Sequence, residues 1–246
     1  MKLDVDGIII MEKNISDSDK LITILTRKKG VIRAFVKNAK NIKNKNFSAI
    51  QLFAYSDFSI YKGRDKYIIN EASLKNCFWD LRTDIKKVAL AQYFCEIILN
   101  LVEENCESEN ILRLMLNSLY YLANGHLDNR LIKSVFELRI LSMSGYMPDL
   151  MCCRTCKRYN NFKMYFDMIR GQLVCEDCLE DMQNKYELQG GVLSALRYIV
   201  YSDFNKMFSF DLEDKYKNAL ALITEKYLLR HVDRKICTLD FYKKVM

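Results

Sequence analysis

The chain has 246 residues, room for one large domain or two to three small ones. Half of the residues are apolar and 28% are charged, with one proline and eight glycines, which excludes a largely disordered, collagen-like or Gly/Ser-linker chain. The formal net charge of +7 lies wholly in the first third: residues 1–75 hold 15 Lys+Arg against 8 Asp+Glu, and residues 76–246 hold 23 of each.

The N-terminal Met-Lys-Leu-Asp-Val-Asp carries two early acids and no long apolar core, so it does not read as a secretory signal, and a cytoplasmic, nucleoid-associated protein is expected. The longest uncharged stretch, Leu114 to Leu127, has 14 residues, short of the roughly 18 to 20 that cross a bilayer. Gly7 to Met11, Lys20 to Thr26, Val31 to Lys37, Ile50 to Tyr61 and Lys66 to Ser73 read as strands. Arg27-Lys28-Lys29-Gly30 suits a type I hairpin turn with a bulge, and Lys62-Gly63-Arg64-Asp65 a second hairpin. Five strands in this span fit a partly open OB-type β-barrel, and a small all-β fold of another topology fits the count as well.

The densest positive charge runs from Arg27 to Lys45: Arg27, Lys28, Lys29, Arg33, Lys37, Lys40, Lys43 and Lys45, with no acid among them. Such asymmetry points to a polyanion partner for one module; a solvated lysine-rich surface is the bland alternative. Alternation puts Ile32, Ala34 and Val36 on one face of the third strand and Arg33, Phe35 and Lys37 on the other. An exposed ring flanked by cations can stack a base while the charges hold phosphates. Tyr55, Ser59 and Tyr61 form another outward row. The hairpin tip and the Asn38 to Asn46 loop are expected to be mobile until nucleic acid binds.

From about residue 80 the period becomes helical: Arg82 to Glu103, Asn110 to Ala123, Asn129 to Ser144, Val192 to Tyr201 and Asp211 to His231. The expected architecture is α+β multidomain: residues 1–78 an OB-fold nucleic-acid-binding domain, and residues 79–246 an α-helical domain carrying an irregular zinc-binding insertion at 149–182.

That insertion holds Cys153-x2-Cys156 and, 18 residues on, Cys175-x2-Cys178. Two CxxC knuckles at this separation match a four-cysteine Zn²⁺ site, closed and therefore structural, with a redox CxxC pair as the alternative. Cys152 competes with Cys153 for the first position, and the two-residue spacing favours Cys153. Arg154, Lys157, Arg158, Lys163 and Arg170 are placed to offset the negative Zn–S4 charge. Cys77, Cys95, Cys106 and Cys237 read as small hydrophobes. The sequence has two histidines, neither in a metal or triad motif, and no Gly-rich phosphate loop or nucleophile elbow, which favours a binding protein over an enzyme.

In this order the parts resemble the bacterial DNA repair protein RecO family. The resemblance runs through Asp6-Gly7-Ile8-Ile9-Ile10, Ser18-Asp19-Lys20-Leu21, Leu25 to Gly30, Leu52-Phe53 and Tyr61-Lys62-Gly63, then Phe136-Glu137-Leu138, Leu141 and Gly145 to Leu150. Two departures are Lys37-Asn38-Ala39-Lys40, where the family has a Lys-Gly stretch, and the single glycine of Arg170-Gly171-Gln172-Leu173. The resemblance implies a recombination mediator that binds single- and double-stranded DNA and anneals complementary strands. It further implies that, with the partner RecR, the protein helps the RecA recombinase onto strands coated by single-stranded DNA-binding protein, whose acidic, phenylalanine-ended tail it binds. Arg130, Lys133 and Arg139 are candidates to meet that tail. Two other classes stay open: a zinc-ribbon protein–protein adaptor without direct DNA function, and a metal-dependent nuclease or RNA-processing enzyme.

Overall fold

The computed structural model describes residues 2–63, 66–161 and 163–246, so Arg64 and Asp65 of the expected second hairpin lie outside the described residues. The chain forms two compact units, one made of the residues up to Asn124 together with Ile236–Met246, the other of Gly125–Lys235. No helix among the described residues is long and apolar enough to cross a membrane.

The first unit is built on five strands: β1 (Lys2–Asn14), β2 (Lys20–Thr26), β3 (Gly30–Val36), β4 (Ala54–Lys62) and β5 (Tyr67–Cys77). Their pairings run β1-β2-β3-β5-β4 and return from β4 to β1, a closed ring in which only β3 and β5 are parallel. β1 serves two neighbours because its register with β2 shifts between Ile9 and Met11, so its first half pairs β4 and its second half β2. Gly7 leaves no room for a side chain: a Cβ there would lie 2.5 Å from the Leu25 carbonyl oxygen. Alternation in β3 is as expected, with Ile32, Ala34 and Val36 inward beside Ile9, Ile22, Ile24, Phe58 and Ile60, and Arg33 and Lys37 outward. The β2–β3 turn closes on Thr26, which accepts the Lys29 N–H and donates to the Gly30 carbonyl, while Gly30 takes φ +61°.

Helices α1 (Ile85–Leu101), α2 (Glu109–Asn124) and α6 (Cys237–Val245) belong to the same unit. Asp84 caps α1 by accepting the Lys86 N–H, and the Glu96 carboxylate on α1 accepts the first amides of α6, those of Cys237 and Thr238. The first compact unit runs on to residue 124 and takes in the C-terminus, because the α1–α2 linker is hydrogen-bonded to the β2–β3 hairpin and α6 is bonded back onto α1.

The second unit holds α3 (Asn129–Met143), α4 (Gly190–Tyr201) and α5 (Asp214–Arg230) with a four-stranded sheet, β6 (Asp149–Cys153), β7 (Met164–Asp167), β8 (Gln172–Cys175) and β9 (Lys185–Leu188), ordered β6-β8-β7-β9. The cysteine-bearing segment, expected to be irregular, is thus a small sheet that reaches Leu188. α3 is buried along its whole middle, Leu131 to Leu141, as the central helix of this unit.

Candidate metal centre and nucleic-acid interface

β6 and β8 are parallel neighbours, with Cys153 opposite Leu173. Each ends on a cysteine, Cys153 or Cys175, and the chain then turns at once, through Arg154–Cys156 on one side and a single 3-10 turn over Glu176–Cys178 on the other. Both knuckles leave the same end of the sheet, so the sulfurs of Cys153, Cys156, Cys175 and Cys178 all lie within 4.8 Å of one another, with Cys156 and Cys175 at 3.6 Å. A tetrahedral Zn–S4 centre with bonds of ~2.3 Å has sulfur–sulfur edges of ~3.8 Å, so the quartet has the size to hold one such ion. Cys152 stands outside it.

Burial works to raise the Cys153 thiol, yet the backbone N–H groups of Cys156, Cys175 and Thr155 aim at its sulfur, and it lies at about 6. Cys178 is pushed up to about 12, first by its hydrogen bond to Cys175, then by burial and the other two sulfurs. Four sulfurs this close do not all ionise by themselves; a dication among them is the partner the donor set fits. Three of the five cations expected to offset that charge have carboxylate partners of their own: Arg154 pairs with Asp167 at 2.9 Å, Arg158 with Asp177 at 2.5 Å and Lys163 with Glu176 at 3.7 Å. These carboxylates lie on β7 and on the second knuckle, and backbone N–H donors face the Cys153 sulfur.

The nine residues expected on the nucleic-acid face divide into two groups. Lys28, Lys29, Arg33, Lys37 and Lys43 make no ion pair among the described residues, and Phe35 lies half-buried between them and β5. The other three cations are engaged. Arg27 is bidentate on Asp6, with Nε and Nη2 at 2.9 and 2.8 Å from Oδ2, and its Nη1 lies 2.8 Å from Glu109. Lys40 donates to the Ser16 carbonyl, and Lys45 pairs with Glu71 at 2.5 Å. Arg27 thus belongs to the scaffold, with partners 21 and 82 residues away that local sequence does not reveal.

The hairpin tip is held, against expectation. Asn105 N–H donates to the Lys29 carbonyl, Ser108 N–H to the Arg27 carbonyl, and Val31 N–H to the Glu103 carbonyl, so the α1–α2 linker lies along the tip, with a single bridge between Gly30 and Glu104. A Cβ on Gly30 would lie 1.9 Å from the Glu103 carbonyl oxygen. The Asn38–Asn46 loop is laced by its own asparagines: Asn44 donates to the Lys37 and Asn38 carbonyls, and Asn46 accepts the Ala72 N–H.

Where β3 meets β5, a cleft of about 650 Å³ opens. Arg33, Lys62 and Lys66 rim it, and Leu21, Val31, Phe35 and Leu99 line it. Lys66 Nζ stands 5.8 Å from the Phe35 ring centre and Lys62 Nζ 5.3 Å from that of Tyr67, whose hydroxyl donates to Glu104. Sequence reading singled out Arg33 and Phe35 here and missed Lys62, Lys66 and Tyr67. The Lys62-Gly63 turn was legible, but not the parallel β3–β5 pairing that carries it to Phe35.

The three cations expected to meet an acidic tail are spent inside their own unit, which corrects that assignment. Arg130 binds Asp128 and Asp214, Lys133 is buried against Glu137 and Glu225, and Arg139 is buried and donates to the Ser202 carbonyl and hydroxyl. Lys133 and Arg139 are inward positions on a helix buried all round, and Arg130, at its first turn, is held by two carboxylates.

Comparison with known proteins adds a lineage to this geometry. A family model described as "Recombination protein O N terminal" matches residues 1–78, and one described as "Recombination protein O C terminal" matches residues 82–240. The chain is 32% identical to the DNA repair protein RecO of Acetivibrio thermocellus over 98% of its own length and 96% of the relative's. It is 30% identical to that of Caldicellulosiruptor bescii, covering 96% of each chain, and 25% identical to that of Alkaliphilus metalliredigens over the whole of both.

Proposed function

The chain belongs to the RecO family, and from that premise we propose that it is a non-enzymatic DNA-binding mediator of recombination in DNA repair. The ring of five strands is read as an OB-type barrel whose outer β3 face follows a strand of DNA. The observation that supports this most is the row along and just past β3: Arg33 on the strand and Lys37 in the turn after it are exposed without ion-pair partners among the described residues, and Phe35 lies between them in the chain. Backbone cations give sequence-independent affinity, and a ring between them stacks bases without selecting them.

Annealing follows from the same chemistry. Two complementary strands repel through their phosphates, and a protein that neutralises both lowers that barrier without making or breaking a covalent bond. In this reading the protein acts with RecR, and it helps RecA onto strands covered by single-stranded DNA-binding protein. The four-cysteine group carries one structural Zn²⁺ that holds the β6–β9 sheet in shape and takes no part in contact with DNA.

Mixing the purified protein with labelled single strands tests the reading. A salt-sensitive gel shift and faster annealing of complementary strands are expected. No shift at low salt would leave the adaptor reading in its place, and cleavage would replace it with a nuclease.

A further inference from the structure

We infer that the cleft between β3, the β4–β5 hairpin and the end of α1 receives a single unstacked base of a DNA strand, and that this gives the protein a preference for single strands over duplex. The inference rests on the DNA-binding reading above and adds to it a position for the base.

The cleft combines two chemistries that a nucleotide also combines. Its lining of Leu21, Val31, Phe35 and Leu99 is apolar and half-exposed, a surface that gains by being covered. Its rim carries Arg33, Lys62 and Lys66. At about 650 Å³ it is within the range of small-ligand sites and has room for a base with its sugar.

The charges also set an orientation. Glu103 and Glu104 close the end of the cleft beside α1, and Glu104 is held there by the Tyr67 hydroxyl at 3.0 Å. Carboxylates repel phosphate, so the sugar–phosphate chain stays on the Arg33 and Lys66 side and the base turns inward over Phe35. The linker bearing both glutamates is fixed to the hairpin by backbone hydrogen bonds at Lys29 and Val31, so the cleft is formed before any strand arrives. A base in a duplex must leave its pair and its stack to enter, whereas a single-strand base is already free to do so. An aromatic acidic peptide also has apolar and charged parts, and the competition below separates it from a strand.

The test uses the full chain and an oligothymidylate carrying 5-iododeoxyuridine, which crosslinks under light to a ring it stacks upon. The crosslinked peptide, identified by mass spectrometry, should contain Phe35 or Tyr67. Leu99→Trp fills the cleft without touching a cation. It should abolish that crosslink and weaken single-strand binding about tenfold at moderate salt while the salt slope stays the same. Lys66→Ala, on an exposed side chain, serves if Leu99→Trp does not fold, and should lose most of the crosslink. Salt-dependent binding with crosslinks only elsewhere would overturn the base position alone; no binding at any salt would overturn the DNA-binding reading with it. Displacement of the strand from the unsubstituted protein but not from Leu99→Trp by an acidic aromatic peptide would assign the cleft to a protein and overturn the inference.

Discussion

The Tyr55 hydroxyl donates to Oδ2 of Asp6 at 2.6 Å, and Arg27 Nη2 reaches the same oxygen at 2.8 Å while also donating to the Tyr55 hydroxyl at 3.2 Å. Through these two residues β1, β4 and the β2–β3 turn are tied at one point, and Arg27 continues the chain of bonds to Glu109 at the start of α2. Burial alone would raise the Asp6 carboxyl, but the hydrogen bonds and charge of Arg27 together with the Tyr55 bond outweigh it, so Asp6 lies below its ordinary 3.8. Arg27→Ala should therefore destabilise the first unit by about 1–3 kcal/mol in urea denaturation, because it strips a partly buried carboxylate of its partner. It should leave the salt slope of DNA binding unchanged. A lower slope with intact stability would return Arg27 to the DNA face.

The same carboxylate gives a pH prediction. A folded-state value below 3.8 means that the stabilisation is whole above that pH and is lost as pH falls through the folded value. The gap in stability between the unsubstituted protein and Asp6→Asn should be constant from neutrality down to about pH 5 and close as pH falls below 3.8. A gap that widens in acid would mean that another group governs the acid limb.

Arg33 and Lys37 carry the opposite expectation. Neither has an ion-pair partner among the described residues, so Arg33→Glu and Lys37→Glu should leave the melting curve nearly unchanged and weaken binding to any sequence. Each lost phosphate contact lowers the salt slope for a single strand by about 0.7. Full affinity at moderate salt in the double variant would move the strand path off β3.

Local pattern and distant partners explain what could be read from sequence and what could not. The Lys20–Thr26 strand, the β3 alternation and the cysteine quartet are set by near neighbours and by spacing, and they stand as expected. α6 was not foreseen, since its first amides are met by Glu96, some 141 residues earlier, and not by a side chain beside them. The β6–β9 sheet escaped notice because its strands are four or five residues long and gain their order from pairing. Charge counting did not reveal that Arg27, Lys40 and Lys45 have acceptors of their own, on other strands, turns and helices.

Removing the metal should act on shape and not directly on DNA contact. Cys175→Ser, or a strong chelator, should abolish binding of one zinc ion per chain by elemental analysis and lower the melting temperature of the second unit by about 10 °C or more. Protease cleavage should appear within residues 149–188, where the sheet hangs on the two knuckles. A chain with no bound metal that melts at the same temperature as the loaded one would make the quartet dispensable to the fold.

Lys133 closes the case on the helical residues. Its ammonium lies 2.7 Å from Glu137 and 3.0 Å from Glu225, and the Lys133 and Glu137 side chains are 5% and 0% exposed. Thr224 donates to the second Glu137 oxygen at 2.6 Å. Inside a protein two carboxylates that share one cation depend on it, since neither can turn to water. Lys133→Met should cost about 3–5 kcal/mol, because it takes a cation away from two buried carboxylates. Replacing Glu137 by Leu in the same chain removes the most deeply buried of those charges, and should recover much of the loss even though one hydrogen bond goes with it. Denaturation of the two variants separates this role from tail docking: a Lys133→Met protein of native stability that had lost affinity for an acidic peptide would place Lys133 at a surface after all.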